Sequence, residues 1–136
     1  GNKEGLFAAA AEFDLRLPDL AALPREAVGA ALVAHFLDRW EGDDTLMALL
    51  RTAVTHEAAA ARMQAIFATQ VAPRIAQLCA GEPRAAVAAR AGMIAAQMPG
   101  LALCRYVLKL PPVVALERAE LVRRVGATVQ ACLDGD

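Results

Sequence analysis

The groups in this chain that could do chemistry are two histidines, three cysteines and a few paired carboxylates, and their spacing argues against each reaction in turn. Serine is absent, which excludes a serine nucleophile. His35 and His56 fall on different helical segments. Neither stands in a His-Glu-x-x-His or His-x-x-x-His pattern, so the spacing that lets two imidazoles share one metal ion is missing. Asp43 with Asp44, and Glu117 with Glu120, sit where helices open. There a carboxylate is explained by the positive end of the helix dipole without a role in proton transfer. Cys79, Cys104 and Cys132 are far apart, lack a Cys-x-x-Cys pair and lie among apolar neighbours, as small buried hydrophobes do. No Cys-x-x-Cys-His supports a haem, and no glycine-rich loop is built to cradle phosphate. The expectation is a protein without catalytic residues, bound metal or cofactor.

Helical phase suggests a cavity. His35, Phe36 and Trp40, then Met63, Phe67 and Gln70, then Met93 and Gln97, fall on the inward stripes of three helices. Two glutamines, a histidine and a tryptophan are costly to bury without partners. A few polar groups within an apolar lining are the usual make-up of a small-molecule site, and methionine supplies a deformable wall. The expected ligand is small and hydrophobic or amphipathic.

The elements that must carry these residues follow from caps, breakers and the 3.6-residue period. A first helix is expected over residues 2–16, with Asn2 as its cap. Pro24 opens a second to about Glu41. Asp43 or Asp44 caps a short third. Thr55 begins a fourth, which Pro73 must kink or restart. Pro83 opens the longest, to about Leu110, with a bend expected at Pro99-Gly100. Pro111 and Pro112 break the pattern, and the last helix covers about residues 117–133. The longest helix is apolar on two sides, one of them carrying Leu103, Tyr106, Val107 and Leu110, so it should be buried on two sides. The last carries Leu121, Val122, Val125 and Val129, and Gly126 would let another backbone come close. The expected fold is an all-α antiparallel bundle of about six helices.

Composition agrees. The 136 residues suit one domain, and 57% are hydrophobic but only 4% aromatic, with alanine supplying much of the share. Such a core is thin, and so much apolar surface calls for a second subunit. The net charge of −1 gives no electrostatic footprint for nucleic acid. The longest uncharged stretch, residues 91–104, falls short of the roughly 20 residues that cross a bilayer, so no membrane is expected. An odd number of scattered cysteines suits a reducing cytoplasm.

The run Gly1-Asn2-Lys3-Glu4-Gly5-Leu6-Phe7-Ala8-Ala9-Ala10 resembles a junction in the TetR family of bacterial transcription regulators, where a similar stretch follows the recognition helix. Leu50-Arg51-Thr52-Ala53-Val54-Thr55-His56-Glu57-Ala58-Ala59 and Gly100-Leu101-Ala102-Leu103-Cys104-Arg105-Tyr106-Val107-Leu108 resemble the core of an actinobacterial-type subgroup. The resemblance implies an effector-binding and homodimerisation domain over residues 17–136, joined by a linker helix over residues 1–16 to a helix-turn-helix reader upstream of Gly1. It implies that Lys3 touches a DNA phosphate. It also implies that the last two helices form a four-helix interface with a second copy, through Leu103, Tyr106, Val107, Leu110, Leu121, Val122, Val125 and Val129. Operator DNA would be bound only through the absent reader, and the whole regulator would be a repressor released by its effector. The alternative is a helical scaffold that binds a protein partner and no small molecule.

Overall fold

The structure, a computed structural model, describes residues 13–135. Among them every regular element is helical: α1 (Val28–Gly42), α2 (Asp44–Ala53), α3 (Glu57–Ile66), α4 (Ala72–Leu78), α5 (Arg84–Ala102), the single turn α6 (Pro111–Val114) and α7 (Arg118–Asp134). A π segment, Phe67–Val71, joins α3 to α4, and a second, Leu103–Val107, extends α5. Six continuous rods result and the fold is all-α; five of them answer to expected helices, and the sixth, α6, stands where only a break was expected.

Several of the rod boundaries have a local cause. Asp43 ends α1 in extended backbone and caps α2, its carboxylate accepting the Thr45 amide at 2.8 Å. Pro73 does not break its rod. The π segment before it puts the proline in the first turn of α4, where a missing amide costs least. Pro99 lies inside α5, and the helix continues through it to the second π segment. At α3 the cap position belongs to His56, not to the expected Thr55.

The core is built on α1, which buries Val28, Leu32, Val33, Phe36, Leu37 and Trp40. Antiparallel α7 packs on it, with Gly29 opposite Gln130 and Ala34 opposite Arg118. This crossing needs two glycines. A Cβ on Gly126 would stand 2.9 Å from Ala30 Cα, and one on Gly29 would overlap the Gly126 carbonyl oxygen. Gly126 therefore serves an approach within the chain, not the approach of a partner that its stripe suggested. Leu121 and Val129, expected at a dimer interface, are 2% and 0% exposed. They are core residues, because the most apolar stripe of α7 is the one its own domain buries.

Residues 13–16, expected as the last turn of the first helix, form no helix, and Arg16 takes the left-handed φ of 54°. Side chains of later helices take up their backbone groups. Phe13 and Leu15 join the core, so the packed body begins before the boundary expected at Leu17. The rest of the expected first helix, with Lys3, lies outside the described residues.

The rod Arg84–Val107 has 24 residues and is long and apolar enough to cross a bilayer by length and composition, although its longest uncharged stretch is shorter. Core helices of soluble proteins meet the same test. Only 22% of its most apolar window is buried, so the expectation of burial on both sides is not met within one chain. Met93 and Leu108 are 58% and 63% exposed.

Candidate ligand-binding pocket

A pocket of about 350 Å³ lies between α1, α2, α3 and α5. That volume is at the small end of the roughly 300–1,000 Å³ typical of ligand sites. Phe36 and Trp40 enter it from α1, Leu46 and Leu50 from α2, Met63 and Gln64 from α3, and Phe67 and Val71 from the first π segment. α5 supplies Ile94, Ala95, Ala96, Met98 and Pro99, and Leu15 closes the wall from the N-terminal segment. Gln64 and the Trp40 indole are the polar side-chain groups in this lining. Gln64 and Ala96, at the rim, are exposed.

The π segment and the proline help to make the space. Phe67 and Val71, four residues apart at the two ends of the π segment, share one face and reach the same void. Pro99 has no amide to give the carbonyl of Ala95, and both residues line the wall. Opposite the long side chains of α1, α5 presents alanines, which leave volume unfilled.

Of the eight ligand-binding candidates, the pocket gathers Phe36, Trp40, Met63 and Phe67. The other four lie elsewhere. His35 Nε2 is 2.7 Å from the carbonyl oxygen of Leu15. Gln70 donates to the Phe13 carbonyl at 2.6 Å and accepts from the Leu15 amide at 2.7 Å. Gln97 turns to α7, donating to Cys132 Sγ at 3.3 Å, and Met93 is exposed. The polar cost that pointed to a cavity is met for His35 and Gln70 by backbone. Leu15, Leu46, Leu50, Ile94 and the α5 alanines were missed, since nothing in a sequence marks where volume is absent. Pro99 was the one available signal.

The pairs around residues 13–15 form a latch. Besides His35 and Gln70, Arg39 donates to the Asp14 carbonyl at 2.9 Å and lies over the Phe13 ring, 4.9 Å from its centroid. Leu15 is thus pocket wall on its side chain and latch on its backbone.

Tyr106, expected at a dimer interface, turns inward. Its hydroxyl donates to Glu41 at 2.6 Å, and its ring meets Trp40 edge-on at 6.2 Å. Burial first, then the Glu41 hydrogen bond and charge, push its pKa up to about 12. Leu103, Val107, Val122 and Val125 are half-buried and Leu110 is exposed. A shallow apolar groove runs between α5 and α7, lined by Gln97, Gly100, Leu101, Cys104, Val113, Arg124, Val125 and Thr128. No cluster of three metal-ligating side chains occurs among the described residues.

No curated protein and no solved structure matches the chain. Residues 26–133 match the family described as tetracyclin repressor-like, C-terminal domain. Domains of this kind belong to transcription regulators, soluble cytoplasmic proteins in which they bind effectors and dimerise. The match covers α1 to α7 up to Leu133, and with it the pocket except Leu15. The chain belongs to the tetracyclin repressor-like C-terminal domain family.

Proposed function

We propose that this chain senses a small apolar effector in the α1–α5 pocket, dimerises, and passes the signal to a DNA reader through residues 1–16, as part of a cytoplasmic repressor. The observation that carries the reading is the pocket itself. It is apolar, partly open and too large to be a packing defect, since native cores keep few voids larger than a water molecule.

The output follows from the latch. Leu15 forms the wall, and Gln70, on the same π segment as Phe67, holds its backbone. An effector that displaces Leu15 or Phe67 strains those hydrogen bonds and favours a state in which residues 13–16 are released. It can shift that balance only by its differential affinity for the two states. DNA half-sites demand a fixed separation, so a small movement of the connecting segments is enough to release a two-fold reader.

The dimer uses the uncovered face of α5 and the groove beside α7, centred on Met93, Gly100, Leu101, Cys104, Val125 and Thr128. This replaces the inward stripe on which Leu121 and Val129 lie. Melting the protein against a panel of uncharged apolar molecules tests the sensor. Ligands of the pocket raise Tm progressively with concentration. No stabilisation by any of them, with stabilisation by a protein partner instead, would favour a scaffold.

A further inference from the structure

A second depression, a cleft of about 590 Å³, adjoins the pocket and shares one residue with it, Trp40. Unlike the pocket, it carries charged side chains. Arg51, Arg105 and Lys109 line it with Glu41 and Asp44. The two acids are accounted for. Glu41 accepts the Tyr106 hydroxyl, and Asp44 sits in the first turn of α2, where the helix dipole favours a negative charge. Arg105 donates to the carbonyls of Val113 and Leu116, both at 2.9 Å. No ion pair among the described residues engages Arg51, Arg105 or Lys109, and these three cations face two carboxylates, a surplus of one positive charge in the cleft.

Lys109 adds an independent sign. It holds φ at 50°, one of two non-glycine residues in the left-handed region among those described. It follows the π segment, whose end is closed by the Leu108 amide on Leu103 at 2.7 Å and the Leu110 amide on Cys104 at 3.0 Å. Glycine is the residue that usually ends a helix in this conformation, because a Cβ costs about 1 kcal/mol there. A lysine at such a position trades backbone comfort for a side chain over the cleft, and strain of this kind concentrates at binding sites.

We propose that the cleft receives the anionic head of an amphipathic effector whose hydrocarbon body fills the pocket, with Trp40 as the wall they share. This rests on the effector-pocket reading above. It narrows the ligand class to a carboxylate with a short hydrocarbon tail. At about 30 Å³ for each water-sized group, the pocket holds on the order of ten non-hydrogen atoms, enough for an eight-carbon tail, and its apolar lining offers no charged partner for the head. Trp40 lies between Phe36, tilted at 5.6 Å, and Tyr106, edge-on at 6.2 Å, so the aromatic row runs from pocket to cleft.

The test measures binding of octanoate, 1-octanol and octylammonium to the 136-residue protein by calorimetry. It is repeated on Arg51→Ala/Lys109→Gly, whose folding is checked by its melting curve. Octanoate should bind about tenfold tighter than octanol, with octylammonium weakest, and the variant should bring the octanoate-to-octanol ratio close to one. Equal binding of the three, or preference for octylammonium, overturns the head assignment and leaves the pocket reading intact. A preference for octanoate that survives in the variant places the head elsewhere and overturns the role of the cleft. Binding of none of the three removes the pocket reading, and this proposal with it.

Discussion

In the proposed sensor, Gln70 is the residue that couples pocket to output. It sits on the π segment beside Phe67 and holds both the carbonyl of Phe13 and the amide of Leu15. Gln70→Ala leaves two backbone groups with lost partners and should lower stability by about 1–3 kcal/mol, read from denaturant unfolding. Faster hydrogen exchange at the Leu15 amide should accompany it. Unchanged exchange would mean that the latch does not hold the segment. Tyr106, the chain's single tyrosine, allows a second check. Its folded pKa of about 12 lies above the ordinary 10, so its contribution to stability is complete below pH 10 and disappears as pH rises to about 12. Ultraviolet titration should find the phenol ionising near 12. Glu41→Gln should bring it only part of the way to 10, because burial is the larger cause. At this scale the sequence was half legible. Large apolar pocket residues announce themselves by phase, as Phe36, Trp40, Met63 and Phe67 did. His35 and Gln70 were misplaced because their partners are backbone groups of residues 13–15, which a helix would have satisfied internally.

Most of the longer helices were legible almost to their ends where a local signal marks the boundary, as Asp43 does between α1 and α2 and Pro83 does before α5. The two π segments were not, since the extra residue in each leaves no mark on composition. Nor was the use of each glycine. Gly126 and Gly92 both stand mid-helix, but their surroundings differ. A methyl on Gly29 or Gly126 would meet backbone of the opposing helix, which cannot yield, whereas one on Gly92 meets nothing within 4 Å. Gly29→Ala should cost about 1–3 kcal/mol or more by forcing α1 from α7. Gly92→Ala should gain roughly 0.4–1 kcal/mol from helix propensity and a restricted unfolded chain. Equal effects of the two in chemical denaturation would contradict the α1–α7 crossing.

For the whole molecule, the surplus of apolar residues pointed to a second copy as an expectation, but phase alone could not say which stripe faces it. A helix amphipathic toward its own core shows that stripe first, and the exposed side of α5 mixes Met93 with small residues such as Gly92, Ala96 and Gly100 that look neutral. Gly100 offers a clean probe. A Cβ added there meets nothing within 4 Å in the chain and the position is exposed, so Gly100→Arg should leave the fold intact. It should also turn a sedimenting dimer into a monomer at micromolar concentration. A dimer that persists would move the interface away from α5.

Sensing requires above all that the pocket take a ligand, and Trp40, the chain's only tryptophan, lines it. Fluorescence of Trp40 should therefore change saturably as 1-octanol is added, with one site per chain. In Ala95→Phe, where a ring occupies the same space, the protein should melt no lower than the parent and the response should vanish. A linear, unsaturable response in the parent protein, or an undiminished one in Ala95→Phe, would contradict a ligand-binding pocket at this place.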